Sequence, residues 1–493
     1  MVDWWFRADH VGQPVLFAAL SIAVWYGIAR MVLGWVNYLA IRKPERKTAP
    51  AGMSVAIFTT SAPGEPLPMF EVTLAACARI TYPHKTYLLD DTRDPRLREM
   101  AHRHGATWLE IDVPGAKAGK INRALEMTTE DFVLVLDPDH IPFPELLDRV
   151  LGHFDSDEIG FVQVSQAYYN QSRSFTAKGA AEQTYGFYGP GQMGLFGHGA
   201  AVAIGANCTF RRKALDSIGG HGIGLAEDLV TAIRIHAAGW RSVYVPEILS
   251  RGLVPEDLGS YYRQQLKWAR GVYEVVFAEM PRLFGKLSWR QRLSYATIGT
   301  YYLSGAATLL YLIFPYLFLW AGVKPASMLF EEFLTTAGPV GLIGAVIYLG
   351  AQRWLCHPQI ERGTHWRALS LKIASWPIFL TGTVLAITRT DIPYVPTAKE
   401  SIRRRFLLLA SPQIFLIILY LLTVVHVVEA RLLVSEGALE LTSQIVWGMV
   451  GFATLPILMA VGPLIAAWQS TKVDARAPWD SVDLNEIGDD RPT

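Results

Sequence analysis

The chain has 493 residues, of which 51% are hydrophobic, and its mean hydropathy of +0.22 excludes an ordinary soluble protein. Because 45 Lys and Arg residues balance 44 Asp and Glu residues, the net charge is only +1 and gives no reason to expect a nucleic-acid partner. The three cysteines, Cys77, Cys208 and Cys356, are far apart and form no CxxC pair, which argues against both a disulfide framework and a zinc site.

An apolar run over residues 14–38 follows a polar and aromatic start, Asp3-Trp4-Trp5. The run is too long for the apolar part of a cleavable signal peptide, and it lacks a small-residue cleavage site. Because a helix needs roughly 20 apolar residues to cross a bilayer, we predict the first membrane span here. Four more runs meet the same test, at residues 300–322, 335–353, 405–428 and 444–468.

Charged residues beside the spans predict their orientation. Four basic residues follow the first span, namely Arg42, Lys43, Arg46 and Lys47. Since basic loops tend to stay in the cytoplasm, we expect residues 50–290 and the C-terminus on the cytoplasmic side of the inner membrane, with the N-terminus outside. The loop after the fourth span carries Glu429, Glu436 and Glu440 against Arg431, which is typical of an external loop.

A sixth apolar run, residues 368–388, either crosses the membrane or lies along its cytoplasmic face. A crossing would put Arg403-Arg404-Arg405 outside, against the positive-inside tendency. Trp376 and Pro377 in the middle of the run suit a bent interfacial helix, and we favour that alternative. A second interfacial stretch is predicted before the second span, where residues 268–295 alternate aromatic and basic side chains.

Between the first two spans, β-rich runs alternate with helical or connecting segments, which predicts a mostly parallel sheet covered on both faces. The predicted strands are Ser54–Thr59, Thr86–Leu89, Thr107–Ile111, Phe132–Leu136 and Gly160–Val164, and the segments between them include Ala101–Ala106 and Lys120–Met127. In such sheets ligands bind beyond the carboxyl ends of the strands. Two acidic groups fall at those ends, Asp90-Asp91 and Asp137-Pro138-Asp139.

Asp137 and Asp139 admit two interpretations. Carboxylates at the end of a buried strand lose hydration, and a cation or hydrogen-bond donors must compensate. Two carboxylates around Pro138 can face one hard divalent ion, and magnesium is usually bound through a few carboxylates and substrate phosphates. The alternative is that both aspartates cap the turn after the strand.

The order of the motifs bears on this choice. Along the chain come Asp90-Asp91, Lys117-Ala118-Gly119-Lys120-Ile121-Asn122, Asp137-Pro138-Asp139-His140, Glu227-Asp228 and Gln264-Gln265-Leu266-Lys267-Trp268. This series resembles the family 2 glycosyltransferases, and specifically their processive cellulose synthase-like branch with its D, DxD, ED and Q(Q/R)xxW signatures. The resemblance implies a GT-A glycosyltransferase domain of α/β fold inserted between transmembrane helices.

The resemblance also implies roles for the motif residues. Asp90, Asp91 and Lys117 would contact the nucleotide, and Asp137 and Asp139 would hold its diphosphate, Asp139 chiefly through Mg²⁺ or Mn²⁺. Asp228 would be the general base, with Glu227 beside it near the acceptor. Gln264, Lys267 and Arg270 would line the diphosphate and acceptor site, and Trp268 would stack on the acceptor sugar. Such chemistry needs a base at the acceptor hydroxyl and charge stabilisation at the leaving diphosphate.

Several of these residues have structural alternatives. Asp228 can cap a helix over Leu229–Ala238, which is worth about 1 kcal/mol. Trp268 can anchor the chain at the membrane surface, and Lys117 can be a solvated loop charge. We treat His140 and Cys208 as structural.

A loop over Asp391–Lys399 lies between the sixth apolar run and the fourth span. In cellulose synthase-like proteins a loop at this place carries an aromatic residue, a threonine and a lysine, and closes over the nucleotide. Tyr394, Thr397 and Lys399 match that pattern, whereas the additional prolines depart from it. The charge distribution independently predicts that the loop is cytoplasmic.

These predictions divide the chain into segments. They are a first helix and basic linker (1–49), a catalytic domain (50–256), interfacial helices (257–299), a channel bundle (300–468) that includes the interfacial helix 367–388 and the gating loop 389–402, and a poorly ordered tail (469–493). The tail is rich in Asp and Pro and too short for the cyclic-di-GMP-binding PilZ domain of bacterial cellulose synthases.

The expected function is processive, inverting synthesis of a β-glucan from a UDP-sugar, with translocation across the membrane. UDP-glucose is the favoured donor and β-1,4 the favoured linkage, with β-1,3 or mixed linkage second. The expected partners are the donor, the growing polysaccharide, the bilayer and a periplasmic export protein. The alternatives are a non-processive transferase that adds one sugar to a lipid acceptor, and a transporter or scaffold with a degenerate catalytic domain.

Overall fold

The computed structural model describes residues 1–328, 330–433, 443–472, 474 and 476–484. It starts with two helices, α1 (Val2–Trp5) and α2 (Pro14–Leu39). The side chain of Gln13 accepts a hydrogen bond of 2.7 Å from the Leu16 amide, and Pro14 occupies the first helical position, so α2 has both signals of a helix start.

An eight-stranded sheet forms the centre of the α/β domain. Its strands are β1 (Val55–Thr60), β2 (Lys85–Asp90), β3 (Thr107–Glu110), β4 (Phe132–Leu136), β5 (Ile141–Pro142), β6 (Ile159–Tyr168), β7 (Cys208–Arg211) and β8 (Arg241–Gly252). The strand order is β3-β2-β1-β4-β7-β6-β8-β5. The first four strands in that order are parallel, whereas β7 is antiparallel to both its neighbours.

Helices and hydrophobic clusters cover both faces of this sheet. The helices of the domain are α3 (Leu67–Ala78), α4 (Pro95–Arg103), α5 (Ala116–Met127), α6 (Leu146–Val150), α7 (Phe175–Gly186), α8 (Gln192–Gly197), α9 (Arg212–Asp216) and α10 (Glu227–Ala237). Along β4, Val133 and Val135 enter one core cluster while Leu134 and Leu136 enter the other. This alternation explains why a central strand can be apolar throughout.

The five predicted strands are all present, within a few residues of their predicted bounds. The segment Ala101–Ala106, predicted to be helical or connecting, holds the last residues of α4, which ends at Arg103, and the turn that follows. Asp94 caps α4 by accepting a hydrogen bond of 2.9 Å from the Arg96 amide, and Gly105 (φ +70°) turns the chain into β3. The pair Asp94-Pro95 in the sequence is typical of a helix start and would have predicted where α4 begins.

The remaining helices follow the α/β domain. They are α11 (Leu258–Glu274), α12 (Met280–Leu283), α13 (Trp289–Gly299), α14 (Ser304–Ala321), α15 (Phe330–Ala351), α16 (Pro358–Glu361), α17 (Trp366–Ala374), α18 (Trp376–Ile387), α19 (Phe406–Leu433) and α20 (Ser443–Gln469). Single turns of 3₁₀ or π helix lie at Ala8–His10, Leu151–His153, Phe187–Gly191, Val275–Glu279, Phe284–Lys286, Tyr301–Leu303, Gln352–Trp354 and Pro478–Ser481.

Five helical segments within the described residues are long and apolar enough to cross a membrane. They are Pro14–Leu39, Trp289–Ala321, Glu331–Trp354, Phe406–Glu429 and Val446–Gln469. The prediction of a multi-span membrane protein is confirmed. Two of the acidic residues used to predict an external loop, Glu436 and Glu440, lie outside the described residues.

The sixth apolar run folds as the helix pair α17 and α18, which is bent by 49° between Ala374 and Trp376. Helix α17 packs on α7 of the α/β domain, and α18 packs on α11. The pair also packs on the spans, α17 on α20 and α18 on α14. The predicted bend is therefore present.

The tail differs from the expectation of poor order in the part that the structure describes. Trp479 is 4% exposed and packs among Met69, Phe70 and Leu74 of α3 and Trp108 of β3. Arg173 forms an ion pair of 3.0 Å with Asp474. One buried tryptophan holds this segment on the α/β domain, which the composition of the tail did not reveal.

Candidate active site

A cavity of about 680 Å³ lies between the α/β domain, α11 and the loop after α18. Twelve residues singled out from the sequence line it: Asp91, Lys117, Asp137, Asp139, Glu227, Asp228, Gln264, Lys267, Trp268, Tyr394, Thr397 and Lys399. Strands β1, β2 and β4 are parallel and in register, so their carboxyl ends meet at one edge and bring these groups together.

Asp137, Asp139 and His140 follow β4 and form the centre of the site. Each offers one ligand atom, and these atoms lie within 4.8 Å of one another. The His140 ring donates from Nδ1 to Asp139 Oδ1 over 2.9 Å, and the Gln166 amide lies 2.6 Å from its Nε2. With both nitrogens engaged, His140 orients Asp139 and leaves the two carboxylates as the ion-binding groups.

Gly252 of β8 makes the position of His140 sterically accessible. A Cβ atom at residue 252 would lie 2.4 Å from the imidazole ring, closer than atoms in contact can come. Glycine at this place therefore lets the ring pack against the strand and reach Asp139.

Three lysines pair with three of the carboxylates that line the cavity. Lys399 Nζ lies 2.9 Å from Asp139 Oδ2, Lys120 Nζ lies 2.7 Å from Asp91 Oδ2, and the Lys117 ammonium contacts Asp137. Burial opposes ionisation of Asp139, but the charges of Lys399 and His140 outweigh it and hold the pKa of Asp139 below its usual range.

This donor set fits a divalent cation. Asp137 is likewise held ionised, because Lys117 and His140 outweigh the effect of burial and lower its pKa. Two ionised carboxylates therefore face one point, and the Lys399 ammonium provides the positive charge there. Oxygen ligands of this kind suit Mg²⁺ or Mn²⁺.

Glu227 and Asp228 begin α10 and also line the cavity. Burial, followed by the neighbouring Glu227 charge, raises the pKa of Asp228 to about 7. Asp228 Oδ1 accepts a hydrogen bond of 2.8 Å from the Leu229 amide. A carboxylate with such a pKa can accept a proton near neutral pH.

The capping alternative for Asp228 does not describe the helix that forms. Helix α10 begins at Glu227, two residues before the predicted start, and its N-terminal flanking residue is Ala226, which makes no side-chain cap. Asp228 therefore lies inside the first turn, where the helix dipole stabilises a negative charge.

The motif on α11 presents polar and aromatic groups to the cavity. Trp268 lines the cavity and packs partly against Tyr302 and Phe379, so it faces inward and not toward lipid. Gln265 is 1% exposed, and neither polar atom of its amide has a hydrogen-bond partner among the described residues. A buried, unpaired amide at a cavity wall suggests a contact made by a ligand.

The loop after α18 is attached at both ends and reaches the cavity in between. At its start, Arg270 donates to the Thr390 carbonyl over 3.2 Å. At its end, Asp257 accepts from Arg404 over 3.2 Å. Tyr394, Thr397 and Lys399 lie between these attachments and line the cavity, and the Lys267 ammonium lies 4.9 Å from the centre of the Tyr394 ring.

Two residues predicted to contact the nucleotide lie elsewhere. Arg270 is buried and pairs with Glu274 over 2.9 Å, so it holds the loop start and does not line the cavity. Asp90 is fully buried and accepts hydrogen bonds of 3.0 Å from the Thr92 amide and the Trp108 ring. Asp90 therefore stabilises the turn after β2, while its neighbour Asp91 reaches the cavity.

Some cavity residues received no role from the sequence. Lys120 belongs to the motif after Lys117 and pairs with Asp91. Glu65 follows β1 in a Gly- and Pro-rich loop, and burial raises its pKa to about 7. The position of this loop after the first strand, next to the other strand ends, was the available signal.

The cavity continues from the α/β domain to the membrane-spanning part. It is lined there by Arg30 and Asn37 of α2 and by Tyr301 and Tyr302 before α14. The Asn37 amide donates to the Gly191 carbonyl over 2.9 Å, which joins the first span to the α/β domain. A passage thus leads from the carboxylates toward the helical bundle.

Several known proteins are similar to this chain. A model of glycosyl transferase family group 2 matches residues 132–330. The UDP-forming cellulose synthase catalytic subunit of Komagataeibacter sucrofermentans is 31% identical over 270 residues, covering 52% of this chain and 36% of that protein. The UDP-forming cellulose synthase 1 catalytic subunit of Komagataeibacter xylinus is 29% identical over 326 residues, covering 63% of this chain and 44% of that protein. The chain thus spans less than half the length of these relatives.

Among solved structures, a mannosyltransferase of Pyrobaculum calidifontis in complex with GDP-mannose and Mn²⁺ is similar, with a TM-score of 0.50 and 17% identity. The match covers 76% of this chain and all of that protein. The likeness confirms the predicted GT-A-like fold.

Proposed function

We propose that the chain is a cellulose synthase-like glycosyltransferase of family 2 that polymerises a β-glucan from a UDP-sugar and passes the product into its membrane helices. One observation carries this proposal: Asp137, Asp139 and Asp228 line a single cavity that continues to α2 and Tyr302. A transferase needs the first three groups, and a polymerase that exports its product also needs the passage.

Asp91 and Lys120 line the cavity and would contact the nucleotide, while Asp137 and Asp139 would hold a divalent cation at its diphosphate. Such a cation, when bound, stabilises the negative charge of the departing nucleoside diphosphate. Lys117 and Lys399 already contact these carboxylates and would add positive charge at the same place. UDP-glucose is the proposed donor, because the curated relatives are UDP-forming cellulose synthases.

Asp228 would remove the proton from the acceptor hydroxyl as its oxygen bonds to the anomeric carbon and the bond to UDP breaks. Attack from the face opposite the leaving group inverts the anomeric centre and gives a β linkage from an α-linked donor. Trp268 would hold the acceptor sugar against its ring, with Glu227 and Gln264 offering hydrogen-bond partners. Repeated transfer then moves the product toward Tyr301 and Tyr302.

Orientation and partners belong to the same proposal. The basic linker after α2 favours a cytoplasmic α/β domain and an external N-terminus. The acceptor is the growing polysaccharide, the bilayer surrounds the spans, and a periplasmic protein would receive the product.

The test is the product made by purified protein in lipid. We expect radiolabelled UDP-glucose with Mg²⁺ to yield ethanol-insoluble material that a β-1,4-glucanase digests. Digestion by a β-1,3-glucanase alone would indicate a β-1,3 linkage instead of the proposed β-1,4 linkage. Labelled material that stays at one or two sugars would overturn processive synthesis.

A lipid-acceptor transferase is the second candidate. The cavity is lined by Arg30 and Asn37 on the inner half of α2, so a lipid-linked acceptor could approach from that helix. This candidate predicts that the label moves into the organic phase on solvent extraction, whereas a polysaccharide stays in the aqueous or insoluble fraction.

A further inference from the structure

A second cavity, the basic pocket, has a volume of about 660 Å³. It lies where the linker after α2 meets α8, the start of α13 and the first residues of β8. Five basic residues line it, Arg42, Lys43, Lys47, Arg241 and Arg290, against the two carboxylates Glu45 and Asp155. No role in sugar transfer accounts for this concentration of positive charge.

Only part of this charge is neutralised within the protein. Lys47 pairs with Asp155, and Arg241 lies 3.4 Å from Glu158. Arg42 and Arg290 have no carboxylate partner within the described part of the chain, and Lys43 contacts only the Trp354 ring, at 5.4 Å from its centre. Within the described residues, three cations therefore line the pocket without a carboxylate partner, against one unpaired carboxylate, Glu45. An anion would balance them.

The pocket lies where three membrane spans end on the side of the α/β domain. Arg42 comes three residues after the end of α2, Arg290 lies in the first turn of α13, and Trp354 ends the span Glu331–Trp354. Trp289 is 66% exposed beside Arg290, at 5.6 Å from ring centre to guanidinium. Tryptophan and basic side chains at span ends mark the level of the lipid headgroups.

We propose that the basic pocket binds the phosphate headgroup of an anionic phospholipid from the leaflet next to the α/β domain. The chemistry favours this ligand, because basic pockets between spans at this depth attract anionic headgroups. The exposed Trp289 ring provides an apolar surface for the adjoining acyl chains.

The pocket shares a wall with the catalytic cavity. His198 and Arg290 line both cavities, and the Gln291 amide donates to the Gly199 carbonyl over 2.9 Å, joining the end of α8 to α13. A bound headgroup would therefore fix the relative position of α8 and α13. We expect anionic lipid to stabilise the protein thermally.

The test compares matched double variants of the full chain in phosphatidylcholine nanodiscs that contain graded amounts of phosphatidylglycerol. Arg42→Gln with Lys43→Gln removes two pocket charges, whereas Arg282→Gln with Lys286→Gln removes two exposed charges at the interface outside the pocket. We expect the first pair to weaken phosphatidylglycerol retention, followed by native mass spectrometry, on the order of twentyfold. We expect the control pair to retain the lipid like the wild type.

Equal loss of lipid in both double variants, or in neither, would overturn the proposal. The single variant Arg42→Gln serves if the double variant does not fold, because the Arg42 side chain is exposed and its substitution breaks no hydrogen bond of the described structure. A further measurement distinguishes a lipid headgroup from a soluble phosphate as the ligand. Inorganic phosphate or glycerol phosphate is added to the wild type in phosphatidylcholine alone, and its thermal stability is measured. Thermal stabilisation by these ions, with none from phosphatidylglycerol, would assign the pocket to a soluble anion and contradict the lipid proposal.

Discussion

Asp228 differs from Asp137 and Asp139 in the direction of its pKa shift. Its burial and the adjacent Glu227 charge raise its pKa, whereas Lys399 and His140 keep Asp139 ionised in the same cavity. Carboxylates with separated pKa values can take separate roles, one as proton acceptor and the others as ion-binding groups.

Asp228→Asn is expected to lower turnover by about 10²–10⁴-fold, since the amide cannot accept the acceptor's proton. Nucleotide affinity should change little, because Asp228 is not in the group of Asp137, Asp139 and His140 that could hold the ion. Radiolabel incorporation measures the first quantity and calorimetric titration with UDP the second. Asp216→Asn, an exposed substitution on α9, is the control. Near-normal turnover in Asp228→Asn would assign the base to another residue.

The pH profile of kcat/KM follows from the raised pKa of Asp228. Asp228 must be deprotonated to act as base, so activity is present above its pKa of about 7 and is lost as the pH falls below it. We expect kcat/KM to fall about tenfold per pH unit on the acidic side. UDP affinity measured at each pH separates this effect from donor binding, and a profile flat between pH 5 and 8 would contradict the assignment.

The sequence predicted most of the site at this scale, because motif order specifies which residues lie at strand ends. It could not separate Asp90 from Asp91. Successive side chains of a strand point to opposite faces, and only the turn after β2 determines that Asp90 points to Trp108 while Asp91 points to the cavity. The sequence analysis gave His140 a structural role only, because its contact with Asp139 depends on Gly252, more than a hundred residues away.

At the scale of elements, the loop after α18 is attached at both ends, and the residues between these attachments reach the cavity. Arg270 and Asp257 hold its two ends, and Lys399 contacts Asp139 from its middle. The resemblance implied that Arg270 lines the diphosphate and acceptor site together with Trp268. On a helix, residues two apart lie about 200° apart and face different sides, so Arg270 faces the loop start instead.

Lys399→Met is expected to tighten Mn²⁺ binding in the absence of nucleotide, because the lysine ammonium occupies the place of a cation beside Asp139. A neighbouring charge shifts a carboxylate by a pKa unit or more, so we expect an affinity gain on the order of tenfold. Titration followed by electron paramagnetic resonance measures it. Arg403→Met removes the same charge from an exposed position of the loop. Equal Mn²⁺ affinity in both variants would show that Lys399 does not compete.

For the whole molecule, the chain ties its soluble and membrane parts together at several places. Asn37 joins the first span to Gly191, α17 packs on α7, and the segment after α20 returns to α3. Hydropathy predicted the spans, because length and apolar composition suffice for that purpose. The docking of the tail depends on one aromatic side chain that meets a distant apolar cluster, and composition carries no information about such a contact.

Trp479→Ala is expected to release the described tail from the α/β domain. Truncating a buried tryptophan removes on the order of 3 kcal/mol, which is enough to populate an undocked tail. Hydrogen exchange of residues 476–484 should accelerate while exchange in β1 and β4 stays slow. Val482→Ala, at a half-buried position outside the cluster around Trp479, is the control. Unchanged exchange in Trp479→Ala would show that other contacts hold the tail.

The missing β-carbon of Gly252 determines which mutations the strand β8 can accept. A scan that introduces every amino acid along this strand should recover only glycine at position 252 under selection for polymer production, while the exposed Arg241 at the other end of the strand tolerates many replacements. The smallest change, to alanine, would already displace the imidazole that holds Asp139. The replacements accepted at position 252, which lies outside the cavity, therefore indicate whether polymer production depends on the position of His140 and on ion binding by Asp139.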